Sequence, residues 1–147
     1  MPRVDINRHA PIISTHEIIV AAPPQQVWDA HTRIRDWPRW NQGIARATIH
    51  GPLEVGASFD WETAGMAITS TVRELIPGER IVWDGTVGGI LGIHAWTLTP
   101  HGGGTLVRTD ESWEGGPAEG GAPELRKALD ASLTEWLSQL KKFVERP

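Results

Sequence analysis

His94 and Glu111 are the two side chains of this sequence whose types and spacing combine into acid–base chemistry. They lie on alternating segments joined by a short turn at residues 101–104, and hairpin counting puts them on one face and nearly level. An imidazole and a carboxylate aimed into an apolar cavity form a proton-transfer pair. The carboxylate, short of water, is easier to protonate, and the state of the histidine follows its partner. Such a pair enolises a carbonyl compound or helps to expel water from an aldol. It also has a plainer use, in which the two groups satisfy each other's hydrogen bonds or fix the orientation of a bound molecule.

The residues expected around this pair are mostly apolar. The inward set is Phe59, Trp61, Ile68, Ser70, Trp83, Trp96, Thr109 and Trp113, faced by Trp136 from a helix. The chain has 8 Trp but 2 Phe and no Tyr. Large, rigid rings of this kind line pockets as well as cores, so the set suits a flat aromatic or lipid-like ligand.

Other signals fail on inspection. His101-Gly102-Gly103-Gly104 copies the oxyanion loop of some esterases, but no G-x-S-x-G elbow exists, and the segment reads as a hairpin turn. Gly85, Gly88, Gly89 and Gly92 match neither a dinucleotide nor a phosphate-loop spacing; they read as a flexible or bulged connection. The six His show no metal-ligand spacing and there is no Cys, so no metal and no cofactor is expected. With 14 Lys+Arg against 18 Asp+Glu, the net charge of −4 speaks against nucleic acid as partner. No run approaches the roughly 18 apolar residues of a membrane span, and the N-terminus lacks a secretory pattern. The expected location is the cytoplasm, as a monomer or homodimer.

The elements that must position these residues follow from the periodicity. Residues 1–14 read as an N-terminal extension and 15–147 as a single domain. A strand at residues 15–21 leads into a helix at 24–33 with Val27, Trp28 and Ala30 inward. A second short helix opens at Asp36-Trp37-Pro38, with Asp36 as its N-cap. From residue 45 to 114 the period is two, and turn signals at Gly51-Pro52, Ala64-Gly65, Pro77-Gly78, Gly88-Gly89 and 101–104 cut out about six antiparallel strands. One face is dry; the other carries Ser58, Thr69, Thr71, Thr97 and Ser112 and reads as wet. After a Gly/Pro-rich linker, a helix at 123–145 bears the stripe Leu125, Leu129, Leu133, Trp136, Leu137, Leu140 and Val144. At ~33 Å it crosses the concave side of the sheet. The fold class is α+β, a curved seven-stranded antiparallel sheet around a long C-terminal helix.

Several segments together resemble the START-like (Bet v 1-like) superfamily, and within it the bacterial polyketide cyclase/dehydrase-type proteins. They are Ile18-Ile19-Val20-Ala21-Ala22-Pro23 with Val27-Trp28, Trp37-Pro38-Arg39-Trp40-Asn41, and Pro77-Gly78-Glu79-Arg80-Ile81-Val82-Trp83. His94-Ala95-Trp96, Gly103-Gly104-Thr105-Leu106-Val107 and Glu111-Ser112-Trp113-Glu114-Gly115 complete the set, so the likeness spans residues 15–144. The resemblance implies a helix-grip fold with an internal site for a small hydrophobic molecule. Three functions follow as expectations: a binder of a lipid-like or polyketide-like molecule, a cyclase or dehydratase of a poly-β-keto substrate using His94 and Glu111, and a protein-interaction module of the chaperone-activator type. Fold does not choose among them. The polar outer set, without an apolar patch, weakens the third.

Overall fold

The computed structural model describes residues 4–147, so residues 1–3 of the expected extension lie outside the described residues. β1 (Ile12–Val20) leads into α1 (Pro24–Thr32), a 3-10 turn (Ile34–Asp36) and α2 (Trp37–Trp40). The meander follows as β2 (Ile44–His50), β3 (Ser58–Thr63), β4 (Met66–Ile76), β5 (Arg80–Val87), β6 (Ile90–His101) and β7 (Gly104–Glu114), and α3 (Pro123–Val144) closes the chain. All seven strands form one sheet in the order β1-β7-β6-β5-β4-β3-β2. Each neighbour is antiparallel. Sheet and α3 together make the helix-grip architecture that the alternation and the long amphipathic stripe dictate.

Local boundaries differ from the sequence reading for identifiable reasons. β1 begins at Ile12 because its ladder with β7 runs on from Val20↔Thr105 to Ile12↔Trp113. Ser14 masks this extension by breaking the apolar run, yet its hydroxyl is buried and donates to Asp130 on α3. Helix α1 turns His31 inward, while Ala30 is only half-buried. Asp36 makes no capping hydrogen bond; it ends the 3-10 turn and pairs with Arg39 at 3.8 Å. The Gly88-Gly89 connection carries no bulge. Pairing runs unshifted from Trp83↔His94 to Val87↔Ile90, and the two glycines take the positive φ angles (58° and 84°) of a tight two-residue hairpin.

The convex face is not uniformly wet. Ile6 packs on Val82 and Ala95, with Val4, Ile13 and Ile93 around them. Arg80 reaches from this face to Glu74 (2.7 Å), Thr97 (2.7 Å) and the Val4 carbonyl (2.8 Å), and the Asn7 N–H donates to Ser112 Oγ at 3.0 Å. Ser112, expected to face water, is therefore fully buried. The residues after position 3 form a strap over β5, β6 and β7.

Candidate active site on the concave face

β6 and β7 place His94 directly opposite Glu111, as hairpin counting predicts. His94 Nδ1 lies 3.2 Å from Glu111 Oε1. Its other ring nitrogen, Nε2, lies 2.7 Å from Thr109 Oγ1, and Glu111 Oε2 accepts the Trp113 indole N–H at 2.8 Å. The chain Thr109–His94–Glu111–Trp113 thus draws on neighbouring inward positions of the two strands, at the period of two that a strand imposes. Burial pushes the Glu111 carboxyl up to about 7, against the pull of the Trp113 N–H. Burial also holds His94 well below the ordinary imidazole value, helped by nearby His31 and opposed by Asp110. The low-dielectric surroundings thus favour the uncharged form of both groups. The hydrogen bonds of this row are Nε2 with Thr109 Oγ1, where the tautomer of His94 sets which group donates, and the Trp113 N–H to Glu111 Oε2; Nδ1 and Oε1 lie side by side at 3.2 Å.

This polar chain lies between two apolar clusters. One gathers Phe59, Trp83, Trp96 and Trp136 with Trp37 and Val72; the other gathers Ile12, Ala118, Leu129 and Leu133, with Trp113 against them. Trp136 and Leu133, neighbours on one face of α3, belong to different clusters. Gly85 and Gly92 are paired across β5 and β6, two residues along from Trp83 and His94 and so on the same face. At Gly92 a side chain would point at Glu111 Oε2 and the Trp113 ring, each about 3.4 Å away. With hydrogen there instead, Glu111 keeps 17% of its side chain exposed while His94 keeps 3%.

The space expected between sheet and helix is occupied by side chains. Trp37, Phe59 and Trp96 are 0% exposed, which leaves no room for a water molecule beside them. Trp136 packs on Trp37, Trp61, Trp83, His94 and Trp96, with ring centroids 5.2–6.2 Å apart. A period of two sets the direction of each side chain, but says nothing of how fully the tryptophans fill the volume. Trp61 and Ile68, paired across β3 and β4, are only half-buried, and the Trp61 indole N–H donates to Ser70 Oγ at 3.0 Å. Beside them lies a cleft of about 70 Å³, with Trp61 and Trp136 in its lining together with Asn41, Ile44, Ser132 and Glu135. A larger cleft of about 310 Å³, lined by Arg33, Arg39 and Arg146 among others, contains none of the expected site residues.

One residue that the sequence reading leaves out belongs to this interior. His31 is 1% exposed, with its ring 4.1 Å from Trp96 and 6.1 Å from both Trp37 and Trp136. Burial alone takes its imidazole down to about 3. The signal is helical phase: position 31 falls three and four residues after Trp28 and Val27, on the same buried stripe.

Comparisons with known proteins agree with this architecture. A hypothetical protein from Helicobacter pylori, jhp0584, superposes with a TM-score of 0.83 at 18% identity, covering 99% of each chain. A START superfamily protein from Mycobacterium smegmatis gives 0.78 at 17%, covering 91% of this chain and 97% of the other. The di-domain ARO/CYC StfQ from the steffimycin biosynthetic pathway gives 0.78 at 19%; 91% of this chain aligns with 50% of that one, so the likeness concerns about half of StfQ. No curated protein matches the sequence. Identities this low establish the fold alone, whereas the family model described as polyketide cyclase / dehydrase and lipid transport matches residues 11–145, and the chain belongs to that family.

Proposed function

We propose that this protein binds a small hydrophobic molecule between the sheet and α3, with the Glu111–His94 pair as its polar anchor. The observation that carries this reading is the placement of a carboxyl beside an imidazole between two apolar clusters, next to Gly92, with the Glu111 side chain still partly accessible. A pair needed only for stability gains nothing from that accessibility, since a buried polar pair is seldom better than an apolar one. The cleft at Trp61 and Trp136 gives a route inward. Movement of the Trp136 ring opens the cleft toward His94, which it contacts at 5.4 Å. The family's description supports this reading at the level of ligand class.

A second reading is favoured by the carboxyl value near 7. A Glu111 that gains and loses its proton at neutral pH, 3.2 Å from a neutral imidazole, suits enolisation of a β-dicarbonyl compound and the loss of water that follows cyclisation. The carboxylate takes the proton from the carbon between two carbonyls and returns it to the departing hydroxyl.

Native mass spectrometry of the purified protein, followed by Trp fluorescence titration with aromatic polyketides and fatty acids, tests the first reading. A co-purifying mass, or saturable quenching by one class, supports it; an empty and unresponsive protein refutes it. Glu111→Gln separates the two readings, because it keeps shape and removes the acid. A catalyst loses turnover, on the order of 10²-fold or more, and a binder keeps most of its affinity.

A further inference from the structure

His31, Trp96 and Trp136 carry buried polar atoms with no hydrogen-bond partner among the described residues: both ring nitrogens of His31 and the indole N–H of each tryptophan. The three rings touch, with His31–Trp96 at 4.1 Å, Trp96–Trp136 at 5.3 Å and His31–Trp136 at 6.1 Å. Elsewhere in the same core one further indole N–H, that of Trp40 stacked on Phe143, lacks a partner among the described residues, whereas other polar groups are met. Trp37 donates to the His31 carbonyl at 2.8 Å, Trp61 to Ser70 and Trp113 to Glu111. Four of the five unmet atoms therefore meet at one place, where an apolar ring in position 31 would fill the space without leaving nitrogens unpaired.

From this we infer that His31, Trp96 and Trp136 form a polar subsite that selects an uncharged planar ligand bearing a hydroxyl or carbonyl oxygen, and rejects a carboxylate. The inference rests on the internal-site reading above and adds the chemistry of the occupant. The closed packing leaves no room for a ligand there, so the oxygen enters only with the Trp136 ring displaced along the route given above; the indole N–H groups of Trp96 and Trp136 then donate to it. A neutral imidazole supplies one further donor and one acceptor, so a phenolic O–H is matched in both directions. A carboxylate would need a compensating cation. The ionisable groups facing this interior are His31, His94 and Glu111; burial holds both imidazoles uncharged at neutral pH, and Glu111 adds no positive charge. His31 acts here as a specificity residue for one end of the ligand, while Glu111 and His94 meet the rest.

Three probes of one shape test the proposal: naphthalene, 2-naphthol and 2-naphthoate, titrated at neutral pH by Trp fluorescence. The expected order is naphthol first, by on the order of tenfold over naphthalene, with naphthoate weakest. In His31→Phe the naphthol-to-naphthalene ratio falls toward one, while thermal stability rises because two unpaired buried nitrogens are gone. The wild-type protein gives an independent readout that needs no variant. Naphthol, and not naphthalene, shifts two indole N–H proton resonances downfield, and these are assigned by Trp96→Phe and Trp136→Phe. An unchanged ratio in His31→Phe, unshifted indole signals, or tighter binding of naphthoate overturns the subsite. Entry of naphthalene without preference for naphthol overturns it and leaves the internal-site reading intact. Failure of all three probes to enter brings down both.

Discussion

His94 Nδ1 and Glu111 Oε1 are 3.2 Å apart, on residues that face each other across β6 and β7. Burial moves the two groups in opposite directions on the pH scale, the carboxyl up to about 7 and the imidazole well below 6.5, and both shifts favour the uncharged form. His31 adds a third neutral group within the same aromatic interior, down to about 3. On the concave side three ionisable groups are thus pushed toward their uncharged forms, of which two need to lose a proton and one to keep it.

These shifts fix the shape of stability against pH. Glu111 sits above its unfolded value of 4.5, so folding takes up a proton between there and about 7, and stability falls as pH rises through that window. His31 and His94 sit below 6.5, so folding releases protons under that pH and stability falls as pH falls. Between about pH 5 and 6, two contributions oppose one, and acidification costs about 1.4 kcal/mol per pH unit. Glu111→Gln removes the opposing group and should make the loss roughly twice as steep; His31→Phe should bring it close to zero. Urea unfolding at several pH values in this window measures all three slopes. Indistinguishable slopes would contradict the assignment of protons.

Arg80 tests the strap. Its side chain is 9% exposed and is shared between Glu74 and the Val4 carbonyl, with Asp5 3.6 Å away. Arg80→Met leaves the 16%-exposed Glu74 without its cation and frees the N-terminal segment. The expected cost is about 3 kcal/mol, which lowers Tm by about 10 °C in a chain of this size. Hydrogen exchange should rise in residues 4–11 while α3 stays protected. The double variant Arg80→Met, Glu74→Leu should regain most of the stability yet keep the strap exchanging. Exchange in residues 4–11 that matches wild type in both variants would show that Ile6, not Arg80, holds the strap.

How far the sequence reaches is clear from individual residues. The pairing of His94 with Glu111 was legible because a hairpin has a period of two and its turn was marked by glycines, so counting gives the register. The buried stripe of α3 was legible for the same kind of reason. His31 was hidden because a nine-residue helix with polar residues on most sides leaves its phase open by one position, and Ala30 is the more natural inward residue. The strap escaped notice because Val4 and Ile6 are too few to show a period. Filling of the interior was not legible at all: alternation gives the direction of a side chain, and volume is settled only when sheet curvature and helix position are known.

Gly85 and Gly92 give a final test, because they are paired in the sheet but differ in what a methyl group would meet. At Gly85 the new carbon would lie 2.6 Å from the Thr69 carbonyl oxygen, so β4 and β5 must part; Gly85→Ala should cost about 1–3 kcal/mol. At Gly92 the nearest atoms are at about 3.4 Å, an ordinary contact, and no positive φ stands in the way. Gly92→Ala should fold with stability within about 1 kcal/mol of wild type. Its methyl group, 3.4 Å from Glu111 Oε2, covers part of a side chain that is now 17% exposed, so the Glu111 value should move up from about 7, readable by carbon NMR of the side-chain carboxyl. Binding of any probe that reaches Glu111 should weaken in the same variant. If instead Gly92→Ala binds as well as wild type while the carboxyl value rises, ligands do not approach Glu111 from this side, and the anchor role passes to the His31 end of the interior.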